Sequence, residues 1–147
     1  MVVSEPFIRS IEEGDFKRVA ELINKNFPHM RMTPSKLAWR LSPNYSYFVA
    51  VVNGEVAGFA DIKLREKTAK LMGMAVEEKF RGRGVGSSLI RKAIEFSTEK
   101  GKRMVYLNVR RGNLAAIHFY QKNGFILKKE VENDDDSFYI LYRKLET

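Results

Sequence analysis

The densest chemical signal in the chain lies at Val76-Glu77-Glu78-Lys79-Phe80-Arg81-Gly82-Arg83-Gly84-Val85-Gly86-Ser87-Ser88-Leu89. A strand pattern ends at Val76, three glycines make a turn, and a helical pattern starts at Val85. The first N–H groups of a helix have no partner within it and carry partial positive charge, so they suit phosphate oxygens. Glycine lets a ligand come close to the backbone, and Arg81 and Arg83 add charge-assisted donors. The combination makes a pyrophosphate cradle; the plain alternative is a tight strand-to-helix turn with no ligand. A Walker loop is excluded, because no lysine follows these glycines. A dinucleotide fingerprint fits badly, with Ser87 in its last glycine position and Asn108-Val109-Arg110 where an acid should end the next strand. An RNA-binding Arg-Gly tract would be long and repeated, whereas this one is single and lies between ordered elements.

A second stretch follows about 30 residues later: Asn113-Leu114-Ala115-Ala116-Ile117-His118-Phe119-Tyr120-Gln121-Lys122-Asn123-Gly124-Phe125. Together the two resemble the GNAT superfamily of acyl-CoA-dependent N-acetyltransferases. That family's pyrophosphate motif is Arg/Gln-x-x-Gly-x-Gly/Ala. Its later signature is Asn, two small residues, an apolar pair around Tyr, then Gly-Phe. The order of elements agrees along essentially the whole chain. The resemblance implies one domain over 1–147, an α/β (α+β) fold with a mixed, mostly antiparallel central sheet flanked by helices.

The resemblance also implies roles. Acetyl-CoA would be the co-substrate, with no metal. Backbone groups of Met74, Ala75 and Val76 would meet the pantetheine arm and thioester. Arg81, Gly82, Arg83, Gly84, Val85, Gly86 and Ser87 would hold the pyrophosphate, with Asn113, Ala116 and Tyr120 touching the cofactor from the next helix. The strands 68–76 and 104–109 would splay to admit it. Acetyl would pass directly from thioester to a primary amine in a ternary complex, with no covalent enzyme intermediate. The Val76 N–H would steady the developing oxyanion, and Tyr120 would protonate the leaving thiolate as general acid. Read by pattern alone, Tyr120 is a core aromatic on its helix's buried stripe.

A lysine-type amine has a pKa of about 10.4, so a base or water chain must remove a proton before attack. Some relatives carry Glu or His where this chain has Asn108, which holds a water but cannot accept its proton. The strand 68–76 contains no carboxylate. Asp61 and Glu55 are substitutes, each with the ordinary reading of a surface strand acid. His118 has the ordinary reading of a surface residue. The general base is unassigned.

The acceptor is equally open. The second half is similar to the ribosomal-protein-alanine N-acetyltransferase branch, through Leu107-Asn108-Val109-Arg110 followed by Asn113. A protein N-terminus, a lysine or a small polyamine-like amine would serve. In the resembled fold the acidic run Asn133-Asp134-Asp135-Asp136 would border the acceptor groove and attract a cation; otherwise it is a solvated hairpin loop. The 27–45 region, with His29, Met30, Met32, Trp39, Tyr45 and Tyr47, would line the other wall. Two non-enzymatic readings stand beside this one. The first is a coenzyme A-binding domain without turnover, and the second a basic nucleic-acid binder.

These residues need a frame. Pro6 to Ile11 alternates as a first strand, and Phe16, Val19, Ala20, Leu22 and Ile23 form a helical stripe ending near Asn26. Thr33-Pro34 caps a short helix through Trp39 and Leu41. Tyr45 to Val52 and Glu55 to Leu64 are strands around an Asn53-Gly54 hairpin turn, and Thr68 to Val76 is the next strand. Val85, Leu89, Ile90, Ala93, Phe96 and Ser97 give a long helix one buried face, ended by Lys100-Gly101. Met104 to Val109 is a strand, Asn113 caps a helix that stops at Gly124, and 125–131 pairs with 138–145.

The 147 residues fit one core, with 44% hydrophobic residues and 12% aromatic ones. No apolar run reaches the roughly 18 residues of a membrane span. Cysteine is absent, which excludes a disulfide framework and a thiolate nucleophile. The two histidines are far apart, so a dedicated metal site is not expected. Residues 63–111 carry 14 Lys/Arg against 5 acids, a net of +9, while the remainder nets −1. That localised charge points to an anionic partner, and the phosphates of coenzyme A would account for it. The expectation is a cytoplasmic enzyme, monomer or homodimer, with an amine acceptor and neither a membrane nor a nucleic-acid partner.

Overall fold

A computed structural model describes residues 5–146. The elements run β1 (Phe7–Ser10), α1 (Phe16–Asn26), α2 (Pro34–Arg40), β2 (Tyr45–Val52), β3 (Glu55–Leu64), β4 (Thr68–Val76), α3 (Val85–Glu99), β5 (Met104–Arg110), α4 (Leu114–Lys122), β6 (Ile126–Val131) and β7 (Phe138–Lys144). Their number and order match the sequence expectation. Three short 3-10 turns, at Glu13–Asp15, Pro28–Met30 and Glu78–Phe80, are additions that the hydrophobic period could not show.

The strands form one sheet in the order β1-β2-β3-β4-β5-β7-β6. Every neighbouring pair is antiparallel except β4 and β5. Because side chains alternate across a strand, β2 sends Val49 to one face and Ala50 to the other, and β3 does the same with Phe59 and Ala60. On the first face α1 buries Val19, Leu22 and Ile23, and α2 buries Leu37, against Tyr47, Phe59 and Ala75. On the second face α3 buries Val85, Leu89, Ile90 and Ala93, and α4 packs Ile117, Phe119 and Tyr120 beside it. At the end of β1, Arg9 makes a paired contact to Asp15 at 2.6 and 3.1 Å. Glu77, just past β4, receives Arg18 at 2.7 Å and Lys25 at 3.2 Å, which ties α1 to the end of that strand.

The feature that positions the site is the parting of β4 from β5. They pair only over Thr68↔Met104, Ala69↔Val105 and Lys70↔Tyr106. Beyond that point β4 stays registered with β3 up to Gly58↔Val76, while β5 stays registered with β7 up to Arg110↔Phe138. A bulge bends β4 where Asp61↔Gly73 gives way to Ile62↔Leu71, with Met72 as the extra residue. Each strand follows its antiparallel neighbour, and the sheet opens between them as the resemblance implied.

Candidate active site

The opening between β4 and β5 continues into a cleft of about 640 Å³. Its polar backbone follows from the ladder. Glu77 N–H donates to Ala57 O at 2.7 Å, so 57/77 and 59/75 are the hydrogen-bonded pairs of β3 and β4. The alternation turns the N–H and C=O of Met74 and Val76 away from β3, toward the side that β5 has left. One of these groups is engaged: Arg81 Nε donates to Val76 O at 3.1 Å.

The end of the cleft is the turn into α3. Gly82 and Gly84 have φ of 78° and 79°, a left-handed backbone that disfavours any residue with a Cβ. Gly84 supplies no side chain to cap α3, and the first helical bond is Ser88 N–H to Gly84 O at 3.0 Å. The N–H groups of Val85, Gly86 and Ser87 therefore have no partner inside the helix. Adjoining residues of the chain aside, no heavy atom stands within 4 Å of where a Cβ on Gly82 or Gly84 would be. Open space, unpaired donors and Arg81 suit a pyrophosphate, so the residues present fit coenzyme A.

Of the residues expected to hold the cofactor, Met74, Ala75, Val76, Arg81, Gly82, Gly84, Val85, Gly86, Ser87, Asn113, Ala116 and Tyr120 all line this one cleft. Arg83 does not; its guanidinium lies 5.8 Å from the centre of the Phe80 ring. Asn113 also caps α4, accepting from Ala116 N–H at 3.2 Å. Tyr120 is packed edge-to-face between Phe119 and Phe125, with ring centres 5.5 and 5.8 Å away. Burial, and then the charge of Asp61, push its phenol up to about 12, so it stays protonated at neutral pH.

The charge expectation needs correcting. Among the basic residues of 63–111, Arg81 alone lines the cleft, joined from outside that segment by Lys122. Lys63, Arg65, Lys67, Lys70, Lys102 and Arg103 gather where β4 and β5 begin, at the end opposite the glycine turn; Arg103 N–H bonds Lys67 O there at 2.8 Å. One stretch of sequence supplies both ends of the parallel pair, so its net charge was never one surface.

A second cavity, of about 310 Å³, lies on the α1/α2 face of the same strands. Ile23, Phe27, Met30 and Phe59 give it apolar walls; Arg40, Tyr45, Tyr47 and Asp61 give it polar ones. Its β4 wall is Met72 and Gly73, immediately followed in the chain by the Met74-Ala75-Val76 wall of the cleft. The two spaces therefore meet across consecutive residues of one strand. His29, Met30, Tyr45 and Tyr47 line this cavity as expected of the 27–45 region, but Met32 is buried in the core and Trp39 is 90% exposed, beside a neighbouring hollow.

Asp61 overturns its ordinary reading as a surface acid, being 3% exposed. Tyr45 Oη donates to its Oδ2 at 2.7 Å, and Arg40 Nη1 donates to Tyr47 Oη at 3.1 Å and to Tyr45 Oη at 3.4 Å. Burial pushes the carboxyl up to about 6, against the pull of the tyrosine hydroxyls and the Arg40 charge. Burial likewise raises both phenols, Tyr47 to about 12. The sequence did carry a signal: Asp61 shares the parity of Phe59, in a strand whose Gly58, Ala60 and Ile62 are equally apolar on the other side. A strand covered on both faces has no solvent side for a carboxylate.

The other candidates lie elsewhere. Glu55 is exposed and paired with Lys79 at 2.9 Å, and His118 is exposed on α4. Asn108 is an exposed residue of β5 that lines neither space. The acidic hairpin also lines neither. Its Asp136 pairs with Arg110 at 3.5 Å, and Arg111 takes the flanking Glu130 at 2.6 Å and Glu132 at 3.6 Å.

Known proteins are similar to this chain in sequence or in fold. An uncharacterized N-acetyltransferase of Methanocaldococcus jannaschii is 40% identical over 94 residues, covering 58% of this chain and 41% of that protein. The chain thus matches less than half the length of that relative. The crystal structure of Ard1 from Thermoplasma volcanium superposes with a TM-score of 0.82 at 26% identity, covering 97% of this chain and 99% of that one. The ribosomal-protein-S18-alanine N-acetyltransferase from Escherichia coli has the same fold, with a TM-score of 0.82 at 23% identity over 97% of this chain and 96% of that one. Among the described residues no helix is long and apolar enough to cross a membrane. The acetyltransferase (GNAT) family matches residues 16–125, through the glycine turn and both walls of the cleft, and the chain belongs to that family.

Proposed function

We propose that this chain transfers an acetyl group from acetyl-CoA to a primary amine, by direct attack within a ternary complex. One observation carries the reading: the cleft that suits the donor and the cavity that suits an acceptor adjoin on Met72 to Val76 of β4. A donor thioester along Met74 to Val76 and an amine entering past Gly73 would approach without a carrier residue between them. Holding both in reach is itself a large part of catalysis.

The N–H groups at the start of α3, with Arg81, bind the pyrophosphate, and Asn113 and Ala116 touch the cofactor from α4. The outward-turned groups of Met74 and Val76 align the pantetheine arm. Val76 N–H stabilises the oxyanion while its carbonyl is held by Arg81. Tyr120 gives a proton to the leaving sulfur. A phenol near 12 is a weaker acid than a thiol near 8.5, so this donation is uphill unless a proton returns to Tyr120 from the nitrogen as the C–S bond breaks.

Calorimetric titration of acetyl-CoA, then a free-thiol release screen against amines, tests the reading. Binding followed by thiol release on an amine is expected. Binding without release on any amine would leave a coenzyme A-binding domain, and absence of binding would refute the cleft assignment.

A further inference from the structure

We infer that Asp61 is the group that takes the proton from the acceptor's ammonium, and that its cavity selects an amine bearing one positive charge on an apolar stem over a polyamine. This deepens the acetyl-transfer reading above and rests on it.

The geometry supports the proton transfer in three ways. Asp61 lies at the β4 wall of the acceptor cavity, beside Gly73 and one residue from the donor cleft. Tyr45 holds Oδ2 at 2.7 Å, while a Cβ on Gly73 would stand 2.9 Å from Oδ1. Glycine at that position therefore leaves room in front of the second oxygen. Finally, the nearby cation does not neutralise the carboxylate directly. Arg40 hydrogen-bonds the two tyrosine hydroxyls and makes no ion-pair contact with Asp61, on which its charge acts at a distance. A buried carboxylate held this way is desolvated and oriented, with one oxygen for a further partner. A primary ammonium supplies that partner.

Tyr45, Tyr47 and Arg40 act on the protonation of Asp61, and the polar groups around it and its cavity bear on the selectivity. The groups facing it are Tyr45 and Tyr47 from β2, Arg40 from α2, His29 from the turn after α1, and Tyr120 from across β4. None adds a second negative charge at neutral pH. Outward from Asp61 the walls are Ile23, Phe27, Met30 and Phe59, and the next hollow brings Lys36 and Trp39. An apolar stem is well placed there, whereas a second ammonium would meet Arg40 and Lys36. The acidic residues of the β6–β7 hairpin are turned in part to Arg110 and Arg111.

The protons balance. The ammonium gives its first proton to Asp61, which releases it to solvent. The neutral nitrogen bonds to the thioester carbon, the C–S bond breaks, and the sulfur leaves with its electron pair. The sulfur takes the Tyr120 proton, and Tyr120 recovers one from the nitrogen. One proton reaches solvent for each amide formed.

The test compares phenethylamine, a tripeptide with a free apolar N-terminal residue and a blocked C-terminus, and spermidine, with wild-type protein, Asp61→Asn and Tyr45→Phe. For wild type, kcat/KM on either monoamine should exceed that on spermidine by at least tenfold, and should fall with unit slope below about pH 6. Preference between phenethylamine and the tripeptide distinguishes a free small amine from a peptide N-terminus. Asp61→Asn should bind acetyl-CoA within about twofold of wild type yet lose about 100-fold in kcat at pH 7. Its remaining activity should climb with pH as the free amine fraction grows. Tyr45→Phe should move the acid limb up by roughly one pH unit, since it removes a hydrogen bond to the carboxylate. Asp61→Asn with the wild-type rate and pH profile overturns the proton-transfer role, and spermidine as the best substrate overturns the selectivity. Wild type that binds acetyl-CoA but acetylates none of the three overturns the acceptor assignment. Failure to bind acetyl-CoA at all overturns the underlying reading instead.

Discussion

The cleft proposed for the donor and the cavity proposed for the acceptor share one strand but are built from different material. The cleft is lined almost wholly by two short runs, 74–87 and 113–122, and its polar contacts come largely from backbone: the start of α3 and the outward-turned groups of Met74 and Val76. The cavity draws on α1, α2, β2, β3 and β4, and its chemistry resides in the side chains Arg40, Tyr45, Tyr47 and Asp61. A phosphate is satisfied by N–H groups of any residue that permits the right turn. An amine is recognised by a placed carboxylate, whose surroundings must be assembled from distant parts of the chain. One site is therefore local and generic, and the other dispersed and particular.

Substitutions that strike one region and spare the other would sharpen that contrast. Gly84→Glu has the largest expected effect. It forces a Cβ onto a φ of 79° and sets a negative charge in the phosphate site, so acetyl-CoA affinity should fall by at least about 100-fold by calorimetry. Unchanged affinity would move the cofactor elsewhere. Tyr120→Phe should lower kcat by about 10–100-fold while leaving acetyl-CoA affinity within about twofold, because the ring still packs on Phe119 and Phe125. An unaltered kcat would hand sulfur protonation to water.

Asp61 offers a third comparison, of function with stability. Its folded-state pKa of about 6 lies above the ordinary 3.8, so the folded protein holds an extra proton between those values. Stability from this group is full below about pH 4, declines as pH rises to about 6, and is flat above. Relative to wild type, Asp61→Asn should therefore gain up to about 3 kcal/mol across that window. Asp15 and Glu77, whose pKa values are lowered by Arg9 and by Lys25 with Arg18, act in the opposite sense but cancel in the difference. Paired urea titrations from pH 4 to 8 measure it; a parallel pair of curves would mean the carboxyl is not desolvated. A variant more stable yet less active would mark Asp61 as kept for chemistry. The smallest effect is expected at the acidic hairpin, where Asp134→Asn with Asp135→Asn should change acceptor KM by less than about twofold. A larger rise would bring that loop back to the acceptor.

The difference between the two regions also explains what could be read early. The glycine turn and the Asn113…Phe125 stretch are each contiguous, so their spacing alone places most residues of the cleft at one strand end, at the start of α3 and along α4. Arg83 is the exception, since a motif position does not say which way a long side chain turns; here it lies over Phe80. The acceptor side stays open in the sequence for the complementary reason. Nothing local brings Asp61 to Tyr45, 16 residues away, or to Arg40 on another element. The acidic hairpin, prominent as a run, is neutralised in part by Arg110 and Arg111, which adjoin it only after β5 and β7 pair.

The amino-acid sequence by itself determined the order of strands and helices, the glycine turn and most residues of the cleft. Hydrophobic period, capping and glycine placement are local properties, and a site made from backbone at a strand end inherits them. Only the tertiary structure decided that the basic segment divides between two ends of a parallel pair. It also decided where β4 and β5 part, after three paired residues, and that Asp61 lies buried beneath two tyrosines and an arginine. Those outcomes depend on which antiparallel neighbour each strand follows and on what the helices cover. Burial and the company of other charges, which govern a carboxylate's chemistry, exist only after the chain has packed.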